Sequence, residues 1–170
     1  ANFDPVPKGG CRNTAITFND LSTSVASIAS WTWEFGDGNT QVFTSPPFTH
    51  LYTDTGIYLV RLTATDIFGC SDTYTLPYRI IISQPITNFS ASKALICPGA
   101  SIQFTDSSVG NNLSYVWYFG DGSTAFVKDP AHAYSGRDSS YSVKLGITDN
   151  YGCSDSLTKI IYITTRVPKP

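Results

Sequence analysis

Trp33-Glu34-Phe35-Gly36-Asp37-Gly38 returns 84 positions later as Trp117-Tyr118-Phe119-Gly120-Asp121-Gly122. Self-similarity of this kind decides the architecture before any local reading, because a repeated unit must be able to bury its own core. Working outward, Phe3, Cys11, Phe18 and Asp20 recur 86 residues on as Phe89, Cys97, Phe104 and Asp106. His50-Leu51-Tyr52 matches His132-Ala133-Tyr134 at an offset of 82, and Asp66 to Asp72 matches Asp149 to Asp155 at 83. The drifting offset places insertions and deletions in loops between fixed strands. The chain therefore divides into units 1–84 and 85–167, each large enough to fold as a small domain.

Within a unit, alternation of period two marks strands. Ile16 and Phe18 share one face of an early strand, as Ile102 and Phe104 do in the second copy. Trp31 to Phe35 alternates and runs into Gly36-Asp37-Gly38, a hairpin signal because Asp-Gly tolerates the positive φ of a tight turn. A strand over 57–65 follows, then a Phe68-Gly69 turn and a last strand through Ile80, Ile81 and Ile82. No stretch has a helical period. About seven short strands per unit, with a Trp in the third and a Tyr ahead of a late one, predict an all-β chain of two immunoglobulin-like sandwiches, end to end.

Composition agrees. Only 14% of residues are charged, where about 25% is usual, while the chain holds 20 Ser, 20 Thr, a single Glu (Glu34) and no Met. Hydroxyls wet this surface, and helix-favouring side chains are scarce. A net charge of -2 and no basic run exclude a polyanion-binding face, so no nucleic-acid partner is expected. No apolar run approaches the roughly 20 residues that span a bilayer, so no membrane insertion is expected. The chain starts at Ala1, without a Met or an apolar leader, and reads as a mature or excised portion of a longer protein.

W-x-F-G-D-G, followed by P-x-x-H-x-Y, G-x-Y-x-V and T-x-D-x-x-G, resembles the PKD (polycystic kidney disease) domain over nearly the whole of both copies. The second copy departs where Tyr134-Ser135-Gly136 and a spacer precede Tyr141. The Cys ahead of the second strand and the closing Gly-Cys-Ser-Asp resemble cell-surface bacterial versions. Such domains occur in long arrays, in adhesins of gliding bacteria and in secreted hydrolases.

The marked residues read as structural. Trp33 and Trp117, with Phe35 and Phe119, belong to the core face; Trp31 has no Trp counterpart and sits nearer a loop. Tyr52 and Tyr134 are expected to form tyrosine corners, hydroxyl to backbone. Asp37 and Asp121 lie between glycines (Gly36, Gly38; Gly120, Gly122), where a turn wants a short acceptor for its own amides. His50 and His132 should reach the same end and bond these aspartates. No nucleophile repeats beside a base, so no catalytic residue is expected.

Four cysteines in a hydroxyl-rich chain suggest disulfides, with three pairings open. Repeat symmetry favours Cys11 with Cys70 and Cys97 with Cys153, closing loops of 60 and 57 residues, each stabilising by roughly 4 kcal/mol in the chain-entropy model. Against this, the two turns in a sandwich lie a strand length apart, roughly 20 Å, and a disulfide needs Cα atoms within about 7 Å. Stacked units would instead bring Cys11 to Cys153 and leave Cys70 and Cys97 for adjoining repeats. Stacking would also bring Asp37 near Asp106 and Asp149, three carboxylates suited to calcium but lacking a contiguous ligand loop; no other cofactor is expected. Asn88-Phe89-Ser90 and Asn112-Leu113-Ser114 are formal glycosylation sequons.

Ser83-Gln84-Pro85-Ile86-Thr87 joins the units with Pro and no Gly, a stiff joint, and 164–170 forms a similar Pro-bearing exit. A stiff hydroxyl-rich rod predicts a non-catalytic extracellular spacer or adhesion stalk of a secreted or cell-surface protein, of the gliding type, contacting neighbouring repeats. The alternative is an accessory module of a secreted hydrolase, presenting Phe43, Phe48 and Phe126 to a surface polysaccharide or protein.

Overall fold

The computed structural model describes residues 1–168; Lys169 and Pro170, the tip of the expected exit, lie outside them. Two compact units emerge, Ala1–Ser83 and one beginning at Gln84. Both are all-β, and no helix among the described residues is long and apolar enough to cross a membrane.

The first unit runs β1 (Phe3–Val6), β2 (Gly9–Cys11), β3 (Ala15–Asp20), β4 (Ile28–Glu34), β5 (Thr40–Phe43), β6 (Phe48–Leu51), β7 (Gly56–Tyr58), β8 (Arg61–Asp66), β9 (Ser71–Thr75) and β10 (Ile80–Ser83). One layer is β1-β3-β6; the other is β5-β4-β8-β9, extended by β2-β10-β7. The second unit runs β11 (Phe89–Ala91), β12 (Leu95–Ile96), β13 (Ser101–Asp106), β14 (Ser114–Tyr118), β15 (Thr124–Ala125), β16 (Ala131–Ala133), β17 (Ser140–Thr148) and β18 (Ser154–Thr165). Its layers are β11-β13-β16 and a continuous β12-β18-β17-β14-β15. The same sandwich is thus built twice, broken in one copy where it is continuous in the other.

In both copies the first strand changes layers. β1 pairs antiparallel with β3, and the chain then crosses so that β2 pairs parallel with β10, Cys11 opposite Ser83. β12 pairs parallel with β18 in the second copy, Ile96 opposite Thr165. The first and last segments of each unit are therefore parallel neighbours, closed by Arg12 N–H to Ser83 C=O (3.0 Å) and Arg166 N–H to Ile96 C=O (2.9 Å).

Period-two alternation puts Ile16, Phe18 and Trp33 inward, each at most 1% exposed. Phe3 and Phe18 meet Trp33 at 4.8 and 5.1 Å; Phe89 and Phe104 meet Trp117 at 5.1 and 5.6 Å. Aromatic pairs of this kind contribute about 0.5–1.5 kcal/mol each beyond the area they bury. At position 76 the first core uses Leu76; the second has Lys159, whose ammonium donates to Phe89 C=O at 2.6 Å and lies 4.8 Å over the rings of Phe89 and Tyr162.

Most of the expected linker belongs to the units themselves. Ser83 belongs to β10, Ile86 exchanges two backbone bonds with Val109 (2.8 and 2.9 Å), and Thr87 N–H donates to Asp155 Oδ2 at 2.7 Å. The strand expected over 57–65 is interrupted at Leu59-Val60, beside the Gly36 turn, whereas its counterpart β17 runs unbroken past Gly120.

Candidate functional site

The hexapeptide that recurs in each copy is a loop braced against its neighbours. Gly36 has φ +83°, and a Cβ there would stand 2.5 Å from Leu59 O; Gly120, at +86°, would stand 2.4 Å from Ser142 O. The positive φ angles belong to the glycines and not to the aspartates between them, and the hairpin closes over five residues through Phe35 N–H to Asn39 C=O.

Asp37 Oδ1 accepts the Asn39 N–H at 3.0 Å, and Oδ2 accepts Asn39 Nδ2–H at 3.0 Å and His50 Nε2–H at 2.7 Å. The His50 ring stacks on Phe35 at 3.9 Å, and Tyr52 meets it edge-on at 4.6 Å. The Tyr52 hydroxyl donates to Phe35 C=O at 3.0 Å, closing the ring of contacts. The second copy repeats it: His132 to Asp121 at 2.7 Å, His132 on Phe119 at 4.1 Å, Tyr134 hydroxyl to Phe119 C=O at 3.1 Å. Each tyrosine therefore ties across to the hexapeptide strand, 17 and 15 residues upstream, where a corner within its own loop was expected.

Burial pushes the Asp37 carboxyl up, but hydrogen bonds from His50 and Asn39 outweigh it and hold the group below the usual carboxylate range; Asp121 follows with His132 and Ser123. Burial, and then the nearby aspartate, pushes Tyr52 and Tyr134 well above the ordinary phenol range. An Asp–His pair walled by Phe and Tyr rings is a brace, with both partners engaged in holding the turn.

The other recurring acids do the same work. Asp20 and Asp106 accept the N–H of Ser22 and Ser108; Asp66 Oδ1 accepts those of Phe68 and Cys70, and Asp149 Oδ1 those of Tyr151 and Cys153. Trp31 Nε1–H also donates to Asp20 at 2.8 Å, and burial, then the neighbouring Asp106, pushes the counterpart Tyr115 hydroxyl up. Asp37, Asp106 and Asp149, expected as a junction calcium site, each hold their own turn. Among the described residues no group of three or more His, Cys, Asp or Glu side chains could hold a metal. Asp149 Oδ2 is buried without a partner, but one oxygen is far from the six to eight that calcium takes.

Cys11 and Cys153 are disulfide-bonded, whereas Cys70 and Cys97 are free and exposed. The intradomain scheme would leave no thiol free, and the strand path explains the difference. In the first unit the Ala1 amine pairs with Asp72, beside the Cys70 turn, while Cys11 lies opposite Ser83 at the other end of the same extended run. Ten residues of strand can separate the two cysteines by about 30 Å.

The aromatics offered for polysaccharide contact do not make a platform. Phe48 is 1% exposed and packs on Trp31, Trp33 and Phe43, Phe43 is half-buried, and Phe126 is exposed.

A family model described as the PKD domain matches residues 5–81 and again 82–165. The chain belongs to the PKD domain family. Among curated proteins, the PKD segments are 35% identical over 79 residues to the pre-pro-metalloprotease PrtV of Vibrio cholerae, and 37% over 70 residues to a microbial collagenase of Vibrio alginolyticus. These matches cover 46% and 39% of this chain and only 8% of each relative's length. The solved PKD1 domain of the Vibrio cholerae metalloprotease is 31% identical, with a TM-score of 0.41 over 49% of this chain and all of that domain.

Proposed function

We propose that this tandem PKD chain is a non-catalytic, extension-limited spacer in a larger extracellular protein, secreted or at the cell surface. The observation that carries it is the parallel pairing of first and last segments in each unit, β2 with β10 and β12 with β18. Tension on the two ends of a unit slides these strands along one another, so their hydrogen bonds load together instead of opening one by one. The turn braces of Asp37–His50 and Asp121–His132 keep the remainder of each sandwich from yielding first.

Cys11 bonds Cys153 in this reading. Tension would then pass from the first eleven residues through the disulfide into β18 while that bond is intact, and the parallel strand pairs would carry the load once it is reduced. The parent is a matter of company. Similarity to segments of a metalloprotease and a collagenase favours an accessory position beside an extracellular hydrolase; the stalk of a gliding-type adhesin rests on the stiff joint alone. Single-molecule pulling through the chain ends, before and after reduction, tests the spacer: a disulfide-limited extension supports it, and full extension of the oxidised chain overturns it.

A further inference from the structure

Cys70 is the sequence counterpart of Cys153, and Cys97 that of Cys11. The one member of each pair is disulfide-bonded and the other is an exposed thiol. The two free thiols also differ in their surroundings, and the difference is complementary. Cys70 ends a turn that holds Ile67 and Phe68 out in solvent, 60% and 79% exposed. Cys97 borders an open cleft of about 480 Å³ whose walls include Leu95, Ile96, Ala100 and Val167, with Lys93 and Arg166 at its edge. Leu95 is 62% exposed there. A protruding apolar turn with a thiol fits an apolar cleft with a thiol, and Asp66 of the turn complements Lys93 and Arg166 of the cleft in charge.

We propose that the Cys97 cleft receives the 66–72 turn of a second copy of this chain, and that a Cys70–Cys97 disulfide then locks the two copies head to tail. The inference rests on the Cys11–Cys153 reading, since it extends that bond to the unpaired counterparts. The contact is heterologous: turn and cleft are different surfaces, so each added copy leaves one of each open and the assembly grows as a chain. Closure oxidises two thiols to one disulfide. The two electrons and two protons pass to a small-molecule disulfide such as oxidised glutathione, which leaves as two thiols after a mixed-disulfide step.

The test incubates the full chain in a glutathione redox buffer and separates products on a non-reducing gel, with peptide mapping by mass spectrometry. The native chain is expected to form a ladder joined by Cys70–Cys97 peptides. C70S alone and C97S alone should give no such peptide, and their mixture should give a dimer and nothing larger. Phe68→Ser, which keeps both thiols, should lower the yield about tenfold, the loss expected when part of an exposed Phe no longer finds a pocket. Random pairing, with Cys70–Cys70 and Cys97–Cys97 as abundant as Cys70–Cys97, overturns the inference, as does an undiminished yield with Phe68→Ser. The Cys11–Cys153 peptide in the same digests separates the two failures. Its presence without Cys70–Cys97 overturns the docking alone, and the absence of both overturns docking and spacer clamp together.

Discussion

Gly36→Ala and Gly38→Ala, two substitutions two residues apart, should differ sharply. Both glycines have positive φ, +83° and +92°, and an L side chain in that region costs about 1–2 kcal/mol. At Gly38 nothing lies within 4 Å of the added Cβ, so that strain is the whole effect. At Gly36 the Cβ would meet Leu59 O at 2.5 Å and Leu59 N at 2.8 Å, which are backbone atoms with no rotamer to change. Leu59 can retreat only by shifting fully buried Val60 and Leu62, a core disruption that brings the total to about 3–5 kcal/mol. For a domain of this size that is a fall of roughly 15–30 °C in melting temperature, against about 5–10 °C for Gly38→Ala. Hydrogen exchange read by mass spectrometry during a urea series reports the units separately. Gly120→Ala and Gly122→Ala repeat the contrast in the second unit, where Ser142 O stands 2.4 Å from the one and nothing stands near the other. A Gly36→Ala loss within half a kcal/mol of Gly38→Ala would refute the close-approach argument.

Tyr52→Phe and Tyr134→Phe each leave a buried carbonyl, Phe35 or Phe119, without its donor; each should cost about 1–3 kcal/mol in urea unfolding of its own unit. Acid is expected to weaken both units through Asp37 and Asp121. Their folded carboxyls titrate below the unfolded value of about 3.9, so the contribution is whole above that value and is lost as pH falls through the folded ones. Urea midpoints between pH 2 and 7 should therefore drop most steeply below about pH 4, and Asp37→Asn should flatten that drop in the first unit only.

The repeat, the all-β class and the Trp core were legible because they rest on period and identity: Trp33 and Trp117 are both fully buried. So was the Asp–His brace, which needs only two residues at one end of a hairpin. What escaped were substitutions that keep a job while changing the residue. Trp31 and Tyr115 neighbour equivalent aspartates, yet one looks unique when only Trp is matched. Phe48 was expected as an exposed aromatic, but its β6 register opposite Phe18 turns it inward. The close approach of Gly36 to the Leu59 backbone joins residues 23 positions apart, which no local pattern encodes. The position of Lys159 where the first copy has Leu76 is also opaque in one dimension, since its favourable setting is made by Phe89 and Tyr162 rings brought together only by the fold.

Pulling the oxidised chain through its two ends tests the spacer most directly. If Cys11 bonds Cys153, as proposed, only the residues before the first and after the second can extend, a gain of at most about 100 Å at roughly 3.5 Å per residue. Adding a reductant should release the whole chain, to an extended length of about 600 Å on the same scale. A long extension before reduction, equal to that after it, would contradict the account.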